Sequence, residues 1–326
     1  MRLLAHILGM LWMAHGLESA PPQRFVFVEK QMGADFRIVL YAKEAKFAKA
    51  AAKAAFDEVK RLNAIFSDYE AESELSLLSA NSGKGKKLSV SEDLWTVLSA
   101  AQCLSTQTDG AFDVTVGPCV RLWRIARFRK TLPAVDKIAA AKLATGYQKL
   151  LLYPEAKKVQ LKDQNMILDL GGIAKGYAAD KMLEILKEKG MLSVLVDAGG
   201  DLALGDAPPN KKGWRIEIGG RKHPDLPVLE LANCAVATSG DIGQFVEVDG
   251  KRYSHIIDPR TGIGLTTRIQ VTVVAPSGMQ ADSLASALTV FGPEEGRLLI
   301  KKLSGVESYF VQGLGADRTL TRIKGE

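Results

Sequence analysis

Residues Ile167 to Asp180, ILDLGGIAKGYAAD, restrict the fold more than any other stretch of this chain. A short apolar, β-like segment closed by Asp169 runs into the Gly171-Gly172 turn, then into a helical pattern reaching about Lys189. Lys175 falls in the first turn of that helix. A glycine turn feeding a helix N-terminus presents unpaired N–H groups and the positive end of the helix dipole, which suits a phosphate. The same pattern also describes an ordinary strand–turn–helix connection with a solvated acid and lysine, the commoner case. It is neither G-x-G-x-x-G nor a Walker loop, so the usual nucleotide fingerprints are absent.

On either side, strands and helices alternate without a long pause. Gln23 to Tyr41 reads as two strands about a turn at Met32-Gly33-Ala34, and Ala42 to Phe66 as an alanine-rich amphipathic helix with Phe47 among its apolar positions. Ser89 or Ser91 caps the next helix, with Glu92 and Asp93 in its first turn. In DGAFDVTVGPCVRLW, Asp109-Gly110 makes a turn and Pro118 breaks the segment, and Arg124 to Gly146 reads as a basic surface excursion. Beyond Lys189 come strands with glycine turns, including a hairpin at Asp249-Gly250, then helices from Met279 to Phe291 and from Pro293 to Leu303 and a final strand, SYFVQ. Hairpins mixed with strand–helix units predict an α+β class with a mostly antiparallel or mixed sheet, in one compact unit.

The chain has 326 residues, 47% hydrophobic and 25% charged, as expected of a globular protein with a sizeable core. The net charge of +6 is mild, and no basic run is interleaved with aromatics, so nucleic-acid binding is not expected. Residues 1–20 differ: Arg2 precedes an apolar run from Leu3 to Ala14, followed by small residues, which reads as a signal peptide and an exported location, either periplasmic or membrane-associated on the outer side of the inner membrane. The run is too short to span a bilayer. Three cysteines, Cys103, Cys119 and Cys234, have no metal-ligand spacing and read as buried free thiols.

Several loops carry acids beside glycines or hydroxyls: Asp169 with its Gly-Gly turn, Asp197 to Asp201 in DAGGD, Thr238 to Asp241 in TSGD, and His255 to Gly262 in HIIDPRTG. A lone histidine after an alternating strand is more often structural than catalytic. In MQADSLASAL, Asp282 in the first helical turn and Ser286 one turn later share a face and can offer two oxygen ligands to a hard cation. An acid favoured by the helix dipole beside a small packing serine explains the same pattern.

Taken in order, these segments resemble the ApbE family, the FAD:protein FMN transferases. The resemblance rests on the Met32-Gly33 turn, FSDYEAESELS, DGAFDVTVGP, LDLGGIAKGYAAD, VDAGGD, TSGD, RYSHIIDPRTG and ADSLASAL, and covers roughly Phe25 to Gln312. It implies a single α+β unit of two interlocked subdomains, residues 24–315, with mixed or antiparallel sheets, flanking helices and FAD between them, followed by a tail at 316–326.

It also implies Mg²⁺-dependent cleavage of the FAD pyrophosphate, release of AMP, and attachment of FMN to an acceptor threonine, usually on a subunit of a membrane redox complex. Carried over by motif, flavin and adenosine contacts fall on Met32, Tyr69, Ala111, Phe112, Asp113, Asp169, Lys175 and Ile256. Metal contacts fall on the Gly172 carbonyl, Asp282, the region of Ala285, and Ser286, where the family usually has threonine. Lys175 is expected to add charge to the phosphates and His255 or Asp258 to act as the base. Hydrolysis of FAD to FMN and AMP, or FAD binding without turnover, are the alternatives. After TSGD the family commonly has an aromatic, an acid and a base, whereas here Ile242-Gly243-Gln244 follow, which bears on local contacts or acceptor preference.

Overall fold

The computed structural model describes residues 21–218, 226–241, 244–313 and 317–326. The expected signal peptide at 1–20 and the Ile242-Gly243 departure therefore lie outside the described residues.

The frame is an eight-stranded sheet. Its strands are β1 (Gln23–Gln31), β2 (Ala34–Ala42), β3 (Val194–Ala198), β4 (Asp201–Leu204), β5 (Cys234–Gly240), β6 (Ile269–Ala275), β7 (Glu307–Gln312) and β8 (Thr319–Lys324). They lie side by side in chain order, each antiparallel to the next. The two-residue side-chain period sorts their residues between two faces. Phe36, Ile38 and Leu40 of β2 and Val271 and Val273 of β6 point into the main core. Val39 and Val274 pack on the other face, against the 214–217 and 228–231 hairpin. Burial on both faces takes in Gln270 and Thr272 of β6 as well as its valines, and Thr272 Oγ1 meets Thr238 Oγ1 at 2.9 Å.

Helices α1 (Ala45–Phe66), α6 (Ala174–Glu188) and α7 (Gly278–Ile300) cover the main-core face. The 151 positions between β2 and β3 also hold α2 (Glu74–Ala80), α3 (Glu92–Gln107), α4 (Gly117–Arg129), α5 (Val135–Leu143) and a small three-stranded sheet. Helices α6 and α7 meet through glycine. A Cβ on Gly176 would stand 2.1 Å from the Gly278 carbonyl oxygen, so no other residue permits this crossing without displacement of the backbone. Asp180 reinforces it by accepting the Gly278 and Met279 N–H groups at 2.6 and 2.9 Å. A second core joins α4 and α5 to the hairpins between β5 and β6, through Cys119, Trp123, Ala126, Ala141, Val246 and Ile257.

The α+β class and the antiparallel sheet match expectation, as does the Ser91 cap, which accepts the Leu94 N–H at 3.3 Å. Five local readings need correction. Ile167 makes a single parallel bridge to Val116, and Asp169 donates its N–H to the Val114 carbonyl, so this stretch lies against the DGAFDVTVGP segment and is not a strand. Pro118 opens α4, where its missing N–H costs nothing. Asp282 sits in the second turn of α7, because Ser277 caps that helix and Gly278 begins it. Phe47 and Cys103 are exposed. Most of the expected C-terminal tail is β8, paired along β7. The two helices expected about Pro293 are observed: Gly292, at φ 74° and ψ −179°, interrupts the helical backbone within α7.

Candidate active site

One end of the sheet collects the glycine turns. The β1–β2 turn holds Met32 at φ 47° and Gly33 at φ 74°. The β3–β4 turn, Ala198 to Asp201, lies against it: a Cβ on Gly199 would stand 2.6 Å from the Ala34 Cβ. Asp197 steadies that turn by accepting the Gly200 N–H at 2.8 Å.

Asp201, at the start of β4, is buried and forms an ion pair with Lys175 in the first turn of α6. Burial works against the Lys175 ammonium, but the Asp201, Asp282 and Asp197 carboxylates outweigh it and hold its pKa above the usual lysine range. Asp282 reaches across from α7 and accepts the Gly176 N–H at 3.1 Å. The Ala174 N–H is bonded to the Leu170 carbonyl. The start of α6 is thus partly satisfied internally and is not the open anion cradle its sequence suggests. Burial first, then the Asp201 carboxylate, push the Asp282 carboxyl up to about 7, against the Lys175 charge.

Gly172 closes the other side. A Cβ there would stand 2.7 Å from Ser286 Oγ and 3.5 Å from the Phe112 ring, so the Gly172 backbone lies against the serine hydroxyl. Among the described residues no group of three or more His, Cys, Asp or Glu forms a metal cage. What converges instead is one carboxylate, one hydroxyl and one turn backbone, an oxygen donor set that suits a hard cation sharing substrate phosphates. The raised Asp282 carboxyl fits the same group, since a cation there would favour its charged form. The Ala285 carbonyl accepts the Thr289 hydroxyl at 2.7 Å, so its capacity is spent within α7.

Beside this cluster Asp169, mostly buried, accepts the Gly171 N–H at 2.8 Å and Arg124 Nη2 at 2.9 Å. Arg124, from α4, also pairs with Asp68 and lies 4.6 Å from the centroid of the Tyr69 ring. Tyr69 is 77% exposed and free to stack on a flat ligand. Phe112 and Ala111 are buried. Asp113 is turned inward, its Oδ1 accepting both the Thr115 N–H and the Thr115 hydroxyl, so its carboxylate holds the loop.

His255 comes from the loop after the 245–254 hairpin. Its N–H and its Nδ1 both meet the Gln244 carbonyl, at 3.0 and 3.1 Å. A carbonyl only accepts, so Nδ1 carries the proton and Nε2 keeps a free lone pair. Burial, aided by the Arg127 and Lys175 charges and opposed by the Gln244 carbonyl and Asp241, holds the imidazole below 6.5. Asp258 is occupied differently: Arg260 engages both its oxygens at 3.0 Å. The geometry therefore leaves His255 as the freer base and Asp258 as the organiser of the turn. Ile256 lies between them, its carbonyl bonded to the Leu265 N–H.

The model of the ApbE family matches residues 32–310. The chain belongs to the ApbE family. It is 32% identical over 302 residues to the FAD:protein FMN transferase of Treponema pallidum (strain Nichols), a match covering 87% of this chain and 83% of that protein. It is also 32% identical over 230 residues to the FAD:protein FMN transferase of Klebsiella pneumoniae (strain 342). That match covers 68% of this chain and 65% of the relative, slightly under two thirds of its length. The apo form of Pseudomonas stutzeri flavinyl transferase ApbE superposes with a TM-score of 0.81 at 29% identity, covering 94% of this chain and 96% of that one.

Within this family fold, three residues to which the sequence assigned no individual role gain a place in the site. Arg124 bridges Asp169 to Asp68, Asp201 partners Lys175, and Arg127 donates to the Gln244 side chain at 2.6 Å. A signal for Asp201 was present in DAGGD. For the two arginines there was none, because a run of bases on a helix looks the same whether it faces solvent or a neighbouring acid.

Proposed function

We propose that this chain transfers FMN from FAD to a threonine hydroxyl of an acceptor protein, releasing AMP. The observation that carries this reading is the meeting of Gly172, Asp282 and Ser286 beside the Lys175–Asp201 pair, at one end of the sheet. The Gly172 carbonyl, the Asp282 carboxylate and the Ser286 hydroxyl would hold Mg²⁺, which when bound neutralises charge on a pyrophosphate and stabilises the leaving phosphate.

The chain's own residues supply the remainder. Lys175, kept charged by its carboxylate neighbours, offers a fixed positive charge to the phosphates. Tyr69, with the Arg124 guanidinium against its ring, presents an exposed aromatic face for a flavin or adenine ring, and Asp169 holds Arg124 in place. His255, neutral with Nε2 free, accepts the proton of the threonine hydroxyl as its oxygen bonds to the FMN phosphorus and the pyrophosphate P–O bond breaks. AMP departs with the bonding electron pair.

The acceptor in this reading is a flavoprotein subunit, of the kind found in membrane redox complexes, and the chain acts outside the cytoplasm after export by its N-terminal apolar run. Among the described residues no helix is long and apolar enough to cross a membrane. The direct test is AMP release from FAD by Asp282→Asn and Ser286→Ala. A loss of at least about a hundredfold in both, in folded protein, is expected for groups that place a catalytic cation. Undiminished release by both would reject the assignment.

A further inference from the structure

Helices α4 and α5 form an antiparallel hairpin. Its base is fixed where Cys119 Sγ lies 3.7 Å from Thr145 Oγ1 and Trp123 donates to the Gly262 carbonyl at 2.9 Å. Its far end, Phe128 to Val135, projects from the body. Phe128 is 89% exposed and Val135 84%, with Ile125 and Leu132 exposed beside them. Three of these four exposed apolar side chains fall between Phe128 and Val135, and Ile125 lies one helical turn before Phe128 on α4.

Charge surrounds them. Residues 121–143 contain seven Lys and Arg against a single acid, Asp136, an excess equal to the net charge of the whole chain. Arg124 and Arg127 point inward to the candidate site. Arg129, Lys130 and Lys137 pair with no carboxylate among the described residues.

We propose that this tip docks the protein on the surface of an anionic lipid bilayer. An apolar point ringed by bases is the pattern of interfacial membrane attachment, where apolar side chains enter the boundary between headgroups and acyl chains and bases meet anionic lipid. A protein partner is favoured less: interface centres are depleted in lysine, whereas this patch is convex and flanked by lysines. The proposal does not depend on the catalytic reading, since attachment needs no turnover. It does have a geometric consequence: Arg127, adjacent to Phe128, is the residue bonded to Gln244, so the rim of the candidate site would face a bilayer-borne acceptor.

The test is partitioning of the full chain onto vesicles of phosphatidylglycerol and phosphatidylcholine, compared with phosphatidylcholine alone. Lipid concentration is set where neutral vesicles bind under half the protein, so that the Leu3–Ala14 run, shared by every variant, does not saturate binding. Phe128→Ser with Val135→Ser is expected to weaken partitioning by about tenfold or more. Arg129→Gln with Lys130→Gln is expected to weaken it roughly thirtyfold on anionic vesicles and little on neutral ones. All four positions are exposed, so thermal unfolding should be unchanged. Wild-type partitioning by both double variants, or equal binding to the two vesicle types, would overturn the proposal. So would a tip whose substitution changes only self-association, which would assign it to a second copy of the chain.

Discussion

Gly172 and Ser286 face each other so closely that even a methyl group on the glycine would stand 2.7 Å from the serine oxygen. One residue belongs to a turn and the other to the third turn of α7, 114 positions later, so the contact exists only because α6 and α7 cross at Gly176 and Gly278. Gly172→Ala is therefore expected to weaken Mg²⁺ binding at least about tenfold, measured by calorimetric titration with FAD present, by pushing the hydroxyl out of place. Adding Ser286→Gly should relieve the crowding and restore thermal stability without restoring the metal. Recovery of Mg²⁺ affinity in that double variant would show that the serine oxygen is not a donor.

The Lys175–Asp201 pair makes a separable prediction. Lys175→Met leaves the buried Asp201 and Asp282 carboxylates without their cation and is expected to destabilise the fold by about 3 kcal/mol, read by urea unfolding. Asp201→Asn in the same background should return much of that stability, because the uncompensated charge is removed. AMP release should stay lost in both, since the phosphates still lack the lysine.

For His255 the sign of the pH effect follows from its environment. Burial and the neighbouring bases lower its pKa from 6.5, so the base form persists into mildly acidic solution. The acid limb of transferase activity is expected below pH 6.5, while the unfolded chain takes up its proton near 6.5, so stability also falls as pH drops through that window. Arg127→Gln removes one of the charges that lower this pKa and should move the limb up towards 6.5. An unmoved limb in Arg127→Gln, with His255 titrating as in the wild type by NMR, would contradict the assignment.

Tyr69 tests the flavin surface. With 77% of the residue exposed, Tyr69→Ala should leave thermal unfolding unchanged. Loss of a stacking face should raise the KM for FAD roughly tenfold, in line with base–aromatic stacking elsewhere. A lower melting temperature with unchanged KM would make Tyr69 structural.

Much of this architecture was legible in the chain because turns and caps are local. Met32-Gly33, DAGGD and Asp249-Gly250 need left-handed backbone, Ser91 needs only the helix that follows it, and each announces itself within a few residues. Contacts between distant segments were not legible. Arg124 meets Asp169 across 45 positions, and nothing in the basic run of α4 separates an inward arginine from a solvated one. The long insertion between β2 and β3 hid that these strands are neighbours, and with it the approach of Asp201 to the Met32 turn. Apolar runs misled where burial came from a loop: Ile167 to Leu170 is buried against the segment after Phe112 without joining a sheet. Pro118 misled because proline punctuates helices at both ends, and only the neighbouring packing tells which.

The most direct test of the central claim is to incubate the chain with FAD and Mg²⁺, with and without an acceptor domain bearing the target threonine. Nucleotide products are separated, and the acceptor is examined by in-gel flavin fluorescence and mass. The account predicts an acceptor heavier by FMN less water, AMP in equal amount, and no labelling when the threonine is replaced by alanine. Free FMN and AMP at the same rate with or without acceptor would make the protein an FAD pyrophosphatase. FAD bound with no AMP formed under either condition would contradict the account of Lys175, His255 and Asp282 altogether.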